Sequence, residues 1–303
     1  VISTQGGNIT VKSVSSLSIG ANVTVSAGTG TVALTSDSNA DNTGSFAQTA
    51  GTISTNNGAI AITNKGTDSL MLGLVTDTGG AGITITNEKG SILENAANSS
   101  LLTSTGTISL QAGSVTAGAT GVGTSTDAIN TNGGTLTASA GTGGIYIDES
   151  NGATLGAITV SGASGEVRIQ NAAGTLSTSG VVSTGGGNIA LSSVDGLSIG
   201  ANVTVSAGTG TIYLDESNGA TLGAITVSGS SGDVRIQNAS GTLTSTGVVS
   251  TGGGNITLTS VDGLSLGANV TAAGTGTVSL TSDSDGNSTG SFAQTAGTIS
   301  TAG

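Results

Sequence analysis

The stretch "GGGNIALSSVDGLSIGANVTVSAGTGT", Gly185 to Thr211, decides the fold. It returns as "GGGNITLTSVDGLSLGANVTAAGTGT" at Gly252 to Thr277, and near the start as "QGGNITVKSVSSLSIGANVTVSAGTGT", Gln5 to Thr31. Each copy holds three short runs in which Ile, Val or Leu alternate with small residues, as in Ile189–Leu191, Leu197–Ile199 and Val203–Val205. Alternation with period two puts one face of a strand inside and leaves the other wet. Gly, Ser, Asn and Asp between the runs are turn formers. No window keeps a helical period.

The first run of each copy extends into a chain-long series. From Ile145 the triplets "IYI", "VRI", "IAL", "IYL", "VRI", "ITL" and "VSL" follow at steps of 22, 22, 23, 22, 22 and 22 residues. Earlier members stand at Ile9, Val32, Ile60, Ile83 and Ile108, with steps of 23 to 37 residues. A 67-residue unit of three steps repeats at 141–207 and 208–274, and residues 3–57 are echoed at 250–303. One such coil cannot bury its own apolar side, whereas stacked coils pair every strand with those above and below, about 4.8 Å away. The reading is an all-β, right-handed parallel β-helix (a β-solenoid) with three short strands per coil of roughly 22 residues and about 12 coils. The inward ladders expected in it are Ile189, Ile212, Val234, Ile256 and Val278, and beside them Leu191, Leu214, Ile236, Leu258 and Leu280. A β-sandwich would show strands every 8–12 residues or so without this register.

Residues 1–303 read as one continuous solenoid, a slice of a longer tandem array whose native molecule continues past both ends. Loop excursions are expected at 36–44, 117–134 and 282–290. Fifty-four glycines supply positive-φ corners, and the absence of proline keeps every ladder N–H. Phe46 and Phe292, in the recurring "GSFAQTAG", are expected to fill the core.

Charge narrows the partners. Only 7% of residues are charged and the net charge is −12, with five Lys and Arg in all. Nucleic acid and anionic lipid both demand clustered cations. No apolar run reaches the length of about 20 residues that spans a bilayer, so no membrane insertion is expected in this segment.

"GGNI" at Gly6, Gly186 and Gly253, "LSIGANVTVSAGTGT" at Leu17 and Leu197, and the 22-residue coil together carry a resemblance covering essentially the whole chain. The pattern resembles the central repeats of the filamentous-haemagglutinin family, large bacterial surface exoproteins and adhesins. The resemblance implies secretion, an extracellular place at a bacterial cell surface, a projecting rod, and adhesion or filament building. This stretch holds neither the family's N-terminal secretion domain nor a C-terminal barrel, so no export route follows.

Without His or Cys the chain offers no Ser–His or Cys–His nucleophile pair and no ordinary zinc site. No catalytic residue is assigned, and no cofactor. "DES" at Asp148–Ser150 and Asp215–Ser217 presents paired carboxylates of the kind glycosidases use, in ordinary repeat positions. A surface cluster is expected where Tyr146, Asp148, Glu166 and Arg168 recur as Tyr213, Asp215, Asp233 and Arg235, each Arg beside a Tyr ring and two carboxylates. Asp37, Asp41, Asp283 and Asp285 are calcium candidates in Asp/Asn turns, although the spacing lacks the distal Glu of an EF-hand. The expected function is a non-enzymatic structural and adhesive rod. Its partners would be further coils, end to end or in continuation, and a surface receptor or glycan. A carbohydrate-binding or carbohydrate-active β-helix is the alternative. An ice-binding solenoid is the lesser one, its "TIT" and "TLT" motifs at Thr84, Thr242 and Thr257 being scattered.

Overall fold

The structure, a computed structural model, describes residues 1–96, 101–113 and 118–302. It is a right-handed parallel β-helix with no helix among the described residues, with 52% of residues in strands and about 12 turns. The chain divides into two compact units, residues 1–153 and 154–303.

In the second unit the first face of each coil is built from Val167–Asn171, Ile189–Ser193, Ile212–Glu216, Val234–Asn238, Ile256–Ser260 and Val278–Thr281. Successive strands are parallel, with Ile189 on Ile212, Ile212 on Val234, Val234 on Ile256 and Ile256 on Val278. Leu191, Leu214, Ile236, Leu258 and Leu280 form the second ladder. The ladder members from Ile189 to Leu258 are at most 1% exposed, and Val278 and Leu280 in the last coil are half-buried. Each fully buried branched side chain contributes about 1.5–3 kcal/mol. Backbone N–H groups bond upward from coil to coil, as Ile212 to the Asp233 carbonyl at 3.0 Å and Val234 to that of Asn255 at 2.9 Å.

The second face runs through Leu176–Thr178, Leu197–Ile199, Ala220–Leu222, Thr242–Ser245, Gly263–Leu266 and Phe292–Gln294. The third runs through Val182–Thr184, Val203–Val205, Ile225–Val227, Val249–Thr251, Val270–Ala272 and Ile299–Thr301. Both keep the buried–outward–buried alternation until the last coil, where Phe292 is 47% exposed. Phe46, its counterpart in the first unit, is fully buried. The core expectation therefore holds for Phe46 and fails for Phe292, whose coil has no further coil over it among the described residues.

The first unit follows the same plan until residue 101, and there it departs from the expected alignment. "ISL" at Ile108 is not followed in its column by "IYI" at Ile145: Ile108 pairs with Leu136 and Leu110 with Ala138. Ile145 lies instead over Val122, which pairs with Ile92. Two strands, Leu101–Ala112 and Ile129–Ala140, run on for 12 residues each through what is elsewhere a corner. The excursion expected at 117–134 is corrected accordingly. Ala117 lies outside the described residues, Gly121–Val122 and everything from Ile129 on are strand, and a turn closed by the Thr124–Asp127 bridge stands between. Leu136–Ala138 escapes a search for paired branched residues because its second inward side chain is only a methyl group.

The corner after the third face has a recurring hydroxyl device. Thr184 Oγ1 donates to the Gly187 carbonyl at 2.6 Å and Thr251 Oγ1 to that of Gly254 at 2.5 Å. Thr4 with Gly7, and Thr55 with Gly58, repeat the bond in the first unit. Thr184→Val keeps the shape and removes the donor, and should cost about 1 kcal/mol of unfolding free energy in urea. An unchanged midpoint would count against the device.

Candidate functional site

Of the expected surface cluster, the copy at Tyr213, Asp215, Asp233 and Arg235 is brought together in part. Tyr213 and Arg235 stand in register on adjacent coils of the first face, and Asp215 pairs with Gln237. Asp233 spends Oδ1 on the Asn255 N–H at 2.7 Å, and Arg235 makes no ion pair among the described residues. Tyr213 is 42% exposed and Arg235 is exposed as well, so the two stand side by side open to solvent. Of the other copy, Tyr146 and Asp148 are half-buried on the strand Gly144–Glu149 of the first unit. Glu166 and Arg168 are half-buried in the second unit, and Glu166 accepts from Asn188 Nδ2 at 3.0 Å.

The "DES" carboxylates do not share a surface. Alternation carries Glu149 and Glu216 inward, each 1% exposed, while Asp215 points to solvent. Glu149 Oε2 accepts from Thr131 Oγ1 at 2.6 Å, and the Gly133 N–H reaches the same carboxylate. Burial nevertheless pushes its carboxyl above the usual glutamate range. Glu216 is held less well. Its Oε1 accepts the Asn218 N–H at 2.6 Å, but its Oε2 is buried with no partner among the described residues. Burial raises this carboxyl too, helped by the charges of Asp215 and Asp195. These interior acids were legible from counting in twos along "IYLDE", and the pairing of adjacent acids obscured them.

The Asp-rich loops are organised by their own backbone. Asp37, Ala40 and Asn42 sit at φ of 48°, 58° and 73°, and Asp283 and Ser288 at 56° and 65°. Asp37 accepts the N–H groups of Asp41 and Asn42, and Asp283 that of Ser288. In one loop Asn39 Nδ2 donates to Asp41, and in the other Asn287 Nδ2 donates to Asp285, both at 2.7 Å. Acid and amide have exchanged places, so the loop needs one acid–amide bond and not a carboxylate at a given position. The Asp41 carboxyl lies below its ordinary value, chiefly through the Thr43 hydroxyl and then Asn39. Among the described residues no three acidic side chains converge on a metal position.

What the second unit presents in bulk is hydroxyl. On its third face Thr159, Ser183, Thr204, Thr226, Ser250, Thr271 and Ser300 stand in one unbroken rank. On its second face Thr154, Ser177, Ser198, Thr221, Thr244 and Ser265 form another. Each rank is one residue wide. The doubled threonines fall on different strands: Thr84 and Thr86 in Ile83–Asn87, Thr242 and Thr244 in Thr242–Ser245, Thr257 and Thr259 in Ile256–Ser260. Every charged side chain between 154 and 302 lies on the first face or at its two corners: Glu166 and Asp233 before it, Asp195, Asp262, Asp283 and Asp285 after it. The other two faces carry none.

Comparison with known proteins finds no matching family model, no similar curated protein and no similar solved structure.

Proposed function

We propose that the chain is a structural and adhesive segment of a secreted bacterial cell-surface protein, a rod whose product is length and spacing and which catalyses nothing. The observation that carries this reading is the reuse of one local solution from coil to coil, with outward residues reduced to Ser, Thr, Ala and Gly on two faces of the second unit. A catalytic groove needs acids and bases gathered on one surface, and here the paired acids of "DES" diverge. Extracellular placement rests on the resemblance of the repeats.

The same reading places further coils at the ends, from the same polypeptide or from another copy. Ile53 is fully buried between Val23 and Val75, whereas its counterpart Ile299 pairs with Val270 on one side and is 39% exposed. Open parallel edges of this kind accept a matching strand.

Small-angle X-ray scattering tests the rod. The chain should have a long dimension of about 55–60 Å for about 12 coils, and a tandem duplicate should roughly double it. A duplicate that folds back to a compact particle would overturn the proposal.

A further inference from the structure

The first unit contains a cleft of about 440 Å³ that the repeat pattern does not explain. Its floor is the pair of continuous strands Leu101–Ala112 and Ile129–Ala140, which pass the corner position without a separate loop, with a register shift between Ser104 and Thr107. The coil before them does turn there, through Thr78 to Gly82 after Asp77, and the coil after them turns through Asn151 and Gly152. Two looped coils thus flank two without a loop at this corner, and the gap between the loops is the cleft. Gly134 lets the two strands approach closely there, since a Cβ on it would run into the Thr105 carbonyl.

Apart from Asp77, the hydrogen-bonding groups that line it are uncharged. Thr103 and Asn132 stand side by side in register and face outward, Thr105 lies on the floor, and Asn151 stands on the wall. An amide offers both donors and an acceptor, and a hydroxyl offers both as well. The two acids nearby are not available for pairing with a cation. Asp77 is 1% exposed and accepts from the Gly82 N–H at 2.7 Å and Ser104 Oγ at 3.0 Å. Glu149 is tied to Thr131 and Gly133. No Lys or Arg lines the cleft to attract an anion. The volume falls within the range of about 300–1,000 Å³ typical of small-molecule sites.

We infer that this cleft binds a neutral oligosaccharide, with Asn132 and Asn151 as the principal hydrogen-bonding side chains. Vicinal sugar hydroxyls, each donor and acceptor, match the amide and threonine groups. The CH faces of the ring lie against the glycine floor. The inference deepens the adhesive side of the proposed function, and the rod stands or falls by scattering independently of it.

Amide spectra of the isotope-labelled chain, titrated with lactose, maltose and N,N′-diacetylchitobiose, and with sialyllactose as the anionic counterpart, test the site. At least one neutral sugar should move the amides of Gly133, Gly134, Asn151 and Gly152 at millimolar concentration. Asn132→Ala should weaken that binding about tenfold, the loss of roughly one well-formed hydrogen bond. Both asparagine side chains face outward, so circular dichroism of Asn132→Ala and Asn151→Ala should match the parent. The inference fails if no neutral sugar moves these amides, if the shifts persist in the double variant, or if sialyllactose binds as tightly as lactose.

Discussion

Gly210→Ala should destabilise the second unit by about 3 kcal/mol, near the top of the ordinary range for single substitutions. Gly210 belongs to a vertical file with Gly187, Gly232, Gly254 and Gly276, one per coil before the first face. A Cβ on each would strike the carbonyl oxygen of the glycine one coil below: Gly187 for position 210, Gly210 for 232, Gly232 for 254 and Gly254 for 276. The obstacle is backbone on both sides and cannot rotate away. A methyl group at 210 must push apart coils that are tied by Ile189 N–H to the Thr211 carbonyl at 3.0 Å and by Thr211 N–H to Asn188 Oδ1 at 2.8 Å. Gly118 is the control, since a Cβ there meets nothing within 4 Å. Gly118→Ala should be neutral or stabilising by up to about 1 kcal/mol, because it restricts only the unfolded chain. Urea midpoints at unchanged slope separate the two. If Gly210→Ala unfolded with Gly118→Ala, close coil approach would not be the reason for the file.

The glycine file marks where sequence reading stopped short. Fold class, coil length and the ladders from Ile189 to Leu280 were legible because a branched residue on each side of a small one is a strong signal, renewed every 22 residues. Positive φ was the expected role of glycine, and in "SAGTGT" it holds for Gly208, at φ 78°. It does not hold for Gly210 two residues on, where the demand comes from the coil below and leaves no local trace. The same limit hid the cleft. Its geometry depends on which coils lack a corner loop, and Leu136–Ala138 buried that information behind one weak inward side chain. The surface pair Tyr213 and Arg235 could be placed in register from spacing alone, but not the diversion of Asp233 to the Asn255 backbone. Spacing sets columns. It does not say which hydrogen bond a side chain prefers.

Glu216→Gln should stabilise the second unit at neutral pH by about 1–3 kcal/mol, the cost of a buried polar atom left without a partner. Glu216 occupies an interior column at the end of the first face that otherwise holds Asn171, Ser193, Asn238 and Ser260. Asn171 Nδ2 donates to Ser193 Oγ and Asn238 Nδ2 to Ser260 Oγ, both at 3.0 Å, and the glutamate stands alone between the two pairs. Its carboxyl is raised first by burial and then by Asp215 and Asp195, so the folded state holds the proton more tightly than the unfolded chain does. Stability from this group is fully present below the unfolded glutamate value of about 4.3 and is lost as pH rises through the higher folded value. The parent should therefore become more stable on mild acidification from neutral, the reverse of a protein held by ionised carboxylates. Glu149, raised by burial as well, gives the first unit the same direction. Urea unfolding at several pH values, in the parent and in Glu216→Gln, isolates the group: the gain from the amide should be largest at neutral pH and shrink as the carboxyl protonates. A gain independent of pH would assign the effect to packing, and a loss at neutral pH would mean that the ionised form is the one this corner is built to hold.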